Sequence, residues 1–243
     1  MIVGLPLGRV IGLHAGWRMA FFYIAVAAAA VLALLVWIFP KVRSDNAISL
    51  RKVPALLEKP GLMGVYLLTL LLITAQYTGY SYIEPFLGQV AHMGDGWVTG
   101  VLILFGLVGI VGSVLFSRYY GRRPETFIRF SVAGIAAALL LMHPASFTYG
   151  TAILLCIVWG LAITIFNLVF QAEIIRLAPQ STAVAMSVYS GIYNVGIGGG
   201  ALIGGIVCSD LSVAWIGYVG GTIAVVAAVY CFRKLLPLLR SAR

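Results

Sequence analysis

The sequence predicts an all-α integral membrane protein, and three observations carry that prediction. The 243 residues are 62% hydrophobic and only 9% charged, where a soluble domain carries about 25% charged residues. The apolar residues lie in long unbroken runs, each near the roughly 20 residues that a helix needs to cross a bilayer. The runs do not alternate in segments of about ten, as the strands of a membrane barrel would, whereas a helix satisfies its own backbone in lipid.

Taken in order, the elements begin with residues 1–13, apolar and glycine-rich with Arg9 as the only charge, which read as an incomplete span. The basic n-region and small-residue cleavage site of a signal peptide are not present there. Seven full spans follow, near 19–39, 61–83, 98–117, 126–142, 150–172, 183–207 and 213–232. The first two are separated by a basic linker over 40–60 with Pro40, Pro54 and Pro60. Its amphipathic middle, "ISLRKVPALLEK", predicts a helix along the membrane surface, with a recognition element for a partner as the alternative. Later breaks are short and carry turn chemistry: Gly94-Asp95-Gly96, His143-Pro144-Ala145-Ser146 and Leu177-Ala178-Pro179.

The net charge of +9 sits in these gaps and forms no nucleic-acid-binding face. Lys41, Arg43, Arg51, Lys52 and Lys59 fill the longest gap. Arg118, Arg122 and Arg123 fill another, Arg176 a third, and Arg233, Lys234, Arg240 and Arg243 the tail. If every run spans, all four regions share one side, which predicts a multi-pass protein with the long gap and the C-terminus in the cytoplasm. Cys156, Cys208 and Cys231 are scattered without metal-ligand spacing, and His14, His92 and His143 fall at outer boundaries away from carboxylates. No metal, cofactor or catalytic constellation is expected, and so no enzyme.

A basic linker followed by six helices resembles the second half of a major facilitator superfamily transporter. "GLPLGRVIG" at 4–12 resembles that superfamily's antiporter motif of the fifth helix, echoed by "SGIYNVGIGGGALIGG" at 190–205 in the eleventh. "SRYYGRR" at 117–123 resembles its loop motif, although Arg118 stands where an acidic residue is expected. "GLPLGRVIG…GWR", "YLLTLLLITAQYTGYSYIEPF" and "SGIYNVGIGGGALIGG" together are similar to bacterial sugar efflux transporters of the SotB type, over essentially the whole chain.

The resemblance implies that residues 1–39 end an N-terminal half, with a truncated fifth helix and a sixth. Residues 40–60 would be the cytoplasmic linker, and 61–243 a C-terminal six-helix bundle, helices seven to twelve. Met1 then falls inside the fifth helix, so a fragment or truncated product lacking the first four helices is expected. The implied function is proton-coupled export of small sugars, such as arabinose or related glycosides, across the inner membrane by alternating access. The implied partners are the lipid bilayer, a small sugar, protons and the missing N-terminal helices. A multidrug or other small-molecule exporter, or an inactive truncated protein, are the alternatives.

Polar side chains inside spans are costly, so each is a functional candidate. Gln76, Tyr77, Tyr80, Ser81 and Glu84 recur at helical spacings on one face. A tyrosine ring packs on the C–H faces of a sugar while its hydroxyl joins the hydrogen-bond network, and glutamine adds donor and acceptor together. The structural alternative, an interfacial aromatic belt, fits Tyr82 and Glu84 better than the deeper Gln76 and Tyr77. A second stripe is Thr164, Asn167 and Gln171; a third is Tyr189, Ser190, Tyr193 and Asn194. For both, hydrogen bonding between helices is the alternative. Gln76, Tyr77, Tyr80, Asn167, Gln171, Tyr193 and Asn194 are the expected substrate contacts, with Arg9 and Glu84 as candidates for coupling or gating. Arg9 can instead snorkel to the surface. Glu173 and Arg176, three residues apart, are expected to pair locally.

Overall fold

A computed structural model describes residues 11–12, 16–38 and 58–241, and the regular structure among them is entirely helical. Arg9, His14 and the linker residues 40–57 lie outside the described residues. The chain divides into two units at Ile48 and Ser49. In the first, α1 (Trp17–Ile38) runs for 22 residues, rich in alanine and leucine, about 33 Å at 1.5 Å per residue and enough to cross a bilayer.

The second unit begins with α2 (Pro60–Tyr80), opened by a proline where the missing N–H costs nothing. A turn leads to the short α3 (Ile83–Gln89) and then to α4 (Asp95–Tyr119). The next elements are α5 (Pro124–Leu140), the one-turn α6 (Met142–Ala145) and α7 (Tyr149–Leu177). The long α8 (Thr182–Asp210) follows, then α9 (Ile216–Tyr230), which passes through a π turn at Cys231–Leu235 into α10 (Leu236–Ser241).

Among the described residues, six stretches are long and apolar enough to cross a membrane: Arg18–Ile38, Pro60–Gln89, Asp95–Tyr119, Tyr149–Leu177, Pro179–Asp210 and Val213–Ser241. The chain is a multi-pass membrane protein. The span expected at 126–142 forms α5, which has only 17 residues, the short limit for crossing a bilayer. It packs between α7 and α9.

α2 is the central helix. It lies against α8 and α9, while α7 packs on α4 and α5. Without a hydrophobic driving force between helices in lipid, close backbone approach supplies much of the association. A Cβ at Gly204 would sit 2.6 Å from the Thr78 carbonyl oxygen, and one at Gly220 2.7 Å from that of Ala75. Only glycine therefore admits α8 and α9 this close to α2. Two tyrosines fix the register: Tyr66 donates to the Ala185 carbonyl at 2.9 Å and Tyr82 to that of Ala201 at 3.0 Å. α7 and α8 meet less extensively.

Among the described residues of the second unit, Lys59, Arg176 and Arg240 make their bonds at one end of the bundle. Lys59 donates to the Leu177 carbonyl at 3.2 Å. The expected Glu173–Arg176 pair forms through Nε at 2.9 Å and a terminal nitrogen at 2.6 Å. Glu173 is only 1% exposed, and its other oxygen accepts from the Tyr120 hydroxyl at 2.7 Å. A carboxylate so buried needs this pairing, because an unpaired charge there would cost several kcal/mol. Arg240 grips Glu125 through two hydrogen bonds, tying α10 to the start of α5.

Candidate functional site

Where α7 and α8 diverge, a cavity of about 340 Å³ opens, lined by Asn167, Gln171, Met186, Tyr189, Ser190 and Tyr193. The two helices supply it through their own periodicity. Asn167 and Gln171 lie four apart on α7, and Met186, Tyr189, Ser190 and Tyr193 recur at three and four on α8, so each set stacks on one face. The Tyr193 hydroxyl lies beside the Asn167 amide and the Tyr77 hydroxyl of α2. The Tyr189 and Tyr193 rings pack at 5.9 Å between centroids.

Two polar atoms here lack partners. The Asn167 Oδ1 and the Tyr189 hydroxyl are both buried and make no hydrogen bond. Thr69 is a polar neighbour of the Tyr189 hydroxyl, and its own proton goes to the Val65 carbonyl at 2.8 Å. A buried polar group left unsatisfied costs about 1–3 kcal/mol, so a ligand that supplies the missing hydrogen bonds recovers that cost.

The structure thus brings Asn167, Gln171 and Tyr193 together in one cavity, with Tyr77 at its edge. Gln76 and Tyr80 lie elsewhere. Gln76 is 2% exposed, and its Oε1 accepts from the Trp159 indole at 2.6 Å. Tyr80 packs edge-on to Trp159 at 6.1 Å and edge-on to Tyr77 at 5.8 Å, and Phe105 completes the cluster at 5.1 Å from Tyr80. Asn194 is exposed, and its amide donates back to the Ser190 carbonyl at 2.8 Å along its own helix. Thr164 of the second stripe faces α4, against Gly109 and Gly112. Glu84 is half-buried in the first turn of α3, where the helix dipole favours a carboxylate. Periodicity did not single out Trp159, whose role depends on a contact 83 residues away, or Met186, which has no polar signal.

Residues 1–196 match the family model described as Major Facilitator Superfamily. The chain belongs to that superfamily. It is 45% identical over 240 residues to a "Probable sugar efflux transporter" of Mannheimia succiniciproducens, covering 99% of this chain and 60% of that protein. It is 46% identical over 229 residues to a protein of the same description from Pasteurella multocida, covering 94% of this chain and 57% of that protein. The chain therefore spans less than two thirds of the length of these curated relatives. As a superfamily member it carries its polar cavity on α7 and α8, beside the central α2.

Proposed function

We propose that the cavity between α7 and α8 is one wall of a sugar path in a sugar efflux transporter, a membrane carrier with no enzymatic step. The observation that carries this reading is the pair of buried, unpartnered polar atoms on Asn167 and Tyr189 at an open, tyrosine-lined cavity. A sugar presents hydroxyls that donate and accept at once and C–H faces that pack on aromatic rings. Asn167 Oδ1 accepts from such a hydroxyl; Gln171, Tyr193 and Tyr77 supply further donors and acceptors. Gln76 and Tyr80 act behind them, holding Trp159 and Tyr77 in place, and Asn194 contributes from the exposed side of α8. The two relatives, both described as probable sugar efflux transporters, support the same substrate class.

In the finer reading the transported compounds are small sugars such as arabinose or related glycosides, and export is coupled to protons, with Arg9 and Glu84 as coupling or gating groups. Residues 1–39 belong to an N-terminal half, 40–60 form the linker and 61–243 the C-terminal bundle. The basic end of the bundle faces the cytoplasm, as the distribution of lysine and arginine favours in an inner membrane.

The test uses inverted membrane vesicles containing protein of the relatives' full length. Labelled arabinose is expected to accumulate when a pH gradient is imposed, and a protonophore is expected to abolish the accumulation. Uptake no greater than that of vesicles lacking the protein overturns the reading. Uptake that ignores the protonophore removes the proton coupling alone.

A further inference from the structure

The cavity between α7 and α8 presents its hydrogen-bonding groups with a definite polarity, and one amide fixes it. Asn167 has an oxygen that only accepts and a nitrogen that only donates. The oxygen makes no hydrogen bond, yet the Tyr193 hydroxyl lies beside this same amide. What meets Tyr193 is therefore the nitrogen, and the Tyr193 oxygen accepts from it. The Asn167 oxygen is left on the other branch of the amide, at the cavity that both residues line.

A second donor occupies the same phenol oxygen. The Tyr77 hydroxyl reaches it from α2, as the donor. A phenol oxygen carries two lone pairs and one proton, so both pairs of Tyr193 are filled. Its own proton has no acceptor among the described residues. The Tyr189 hydroxyl is not one, because it makes no hydrogen bond. The Ser190 carbonyl, one turn back on α8, is taken by the Asn194 amide at 2.8 Å. The Tyr193 ring is packed 5.9 Å from that of Tyr189, which holds it in this place.

The oxygen and nitrogen of an amide share one carbon, so the free Asn167 acceptor and the free Tyr193 donor are neighbours on the wall. A hydroxyl donates one proton and accepts at its lone pairs, and so can meet both at once. An ether or a fluorine only accepts, and a hydrogen does neither. A site built to hydrogen-bond a hydroxyl rejects the analogue that lacks it, because its own polar groups are then left unpaired. We propose that Asn167 and Tyr193 together read one free hydroxyl of the transported sugar, Asn167 Oδ1 accepting its proton and the Tyr193 hydroxyl donating to its oxygen. Tyr193 is also the positioning residue that keeps the Asn167 acceptor on the substrate side. Resting on the sugar path proposed above, this pair makes the wall selective for a hydroxyl rather than polar in general.

The test measures binding to purified protein of the relatives' full length by isothermal titration calorimetry. The ligands are methyl arabinoside and derivatives in which each ring hydroxyl in turn is replaced by hydrogen or by fluorine. At one ring position the hydrogen derivative is expected to bind about tenfold or more weakly, through the loss of two hydrogen bonds. The fluorine derivative at that position is expected to bind no better, because fluorine has no proton for the Asn167 oxygen. Tyr193→Phe keeps the ring against Tyr189 and is expected to weaken the parent sugar by about threefold to tenfold. It is also expected to shrink the discrimination at that position alone to about twofold. If Tyr193 were only structural, Tyr193→Phe would weaken every derivative by one factor and leave the discrimination intact; that result overturns the proposal. Fluorine that binds like the hydroxyl at every position would mean that the wall only donates, and overturns it too. Arabinoside binding in which no ring position matters overturns it while leaving the sugar path standing, whereas no binding of any derivative removes both. The hydrogen and fluorine comparison on the unaltered protein decides the matter even if Tyr193→Phe fails to fold.

Discussion

Gln76 and Asn167 are both amides inside membrane-spanning helices, and they have opposite fates. Gln76 on α2 meets Trp159 on α7, and the 2.6 Å hydrogen bond is walled in by Tyr80 and Phe105. Asn167, on the same α7 two turns on, reaches a cavity with its carbonyl oxygen unpaired. A membrane interior penalises unpaired polar groups more than water does, so the first arrangement is what helix packing alone would select. The second is tolerable only where something else completes it. The difference separates polar residues whose hydrogen bonds close within the bundle from those left with a bond unmade, although both kinds sit in spans at similar spacings.

The sharpest way to break the comparison is to attack the closed seam. Trp159 is 1% exposed and touches Gln76, Tyr80 and Phe105. Trp159→Ala removes a fully buried ring and is expected to cost about 3–5 kcal/mol, read as lowered thermal stability in detergent. Gln76→Ala leaves the indole N–H buried and unpaired, and about 1–3 kcal/mol is expected. In both variants the fraction that remains folded should bind sugar within about twofold of the parent, since the open wall is intact. A tenfold loss of affinity in folded Gln76→Ala would move Gln76 from the seam to the site.

The open wall should respond the other way. Asn167→Ala removes an oxygen that has no partner in the protein, together with the amide nitrogen beside the Tyr193 hydroxyl, so thermal stability should fall by no more than about one neutral hydrogen bond, roughly 0.5–1.5 kcal/mol. Sugar affinity should fall by about threefold to tenfold, the equivalent of one hydrogen bond of roughly 0.5–1.5 kcal/mol. Stability loss with unchanged affinity would make Asn167 a packing residue like Gln76.

This asymmetry was only partly legible in the amino-acid sequence. Apolar runs located the helices, because hydropathy alone decides what can sit in lipid. It did not locate their ends. The run at 61–83 is broken at Ser81 and Tyr82 before α3 begins, and the last helix continues through Arg233 and Lys234 to Ser241, because charge ends an apolar run without ending a helix. Helical spacing placed Asn167 and Gln171 on one face and Tyr189 and Tyr193 on another, and these faces do meet. Spacing also grouped Gln76 with Tyr77 and Tyr80, yet what satisfies Gln76 is an indole 83 residues away. A face can be read from one helix; its partner cannot.

Tyr189 provides the finest discrimination, with the smallest expected effect. Its ring is 4% exposed and its hydroxyl is buried without a hydrogen bond. If that hydroxyl only fills space, Tyr189→Phe removes a buried, unsatisfied polar group while keeping the ring that packs on Tyr193. Stability should then hold or rise slightly, with sugar affinity untouched. If the hydroxyl is held open for substrate, stability behaves identically but affinity falls, by about threefold for a single neutral hydrogen bond. The two outcomes share their stability arm, so a melting curve does not distinguish them and the binding isotherm does. Tyr189→Ala provides the scale for both, because losing the ring should weaken packing and affinity together. A Tyr189→Phe protein that melts like the parent and binds sugar about threefold more weakly is the expected result. Unchanged binding would leave Asn167 as the one orphaned atom facing the substrate and would reduce the open wall to Asn167, Gln171 and Tyr193.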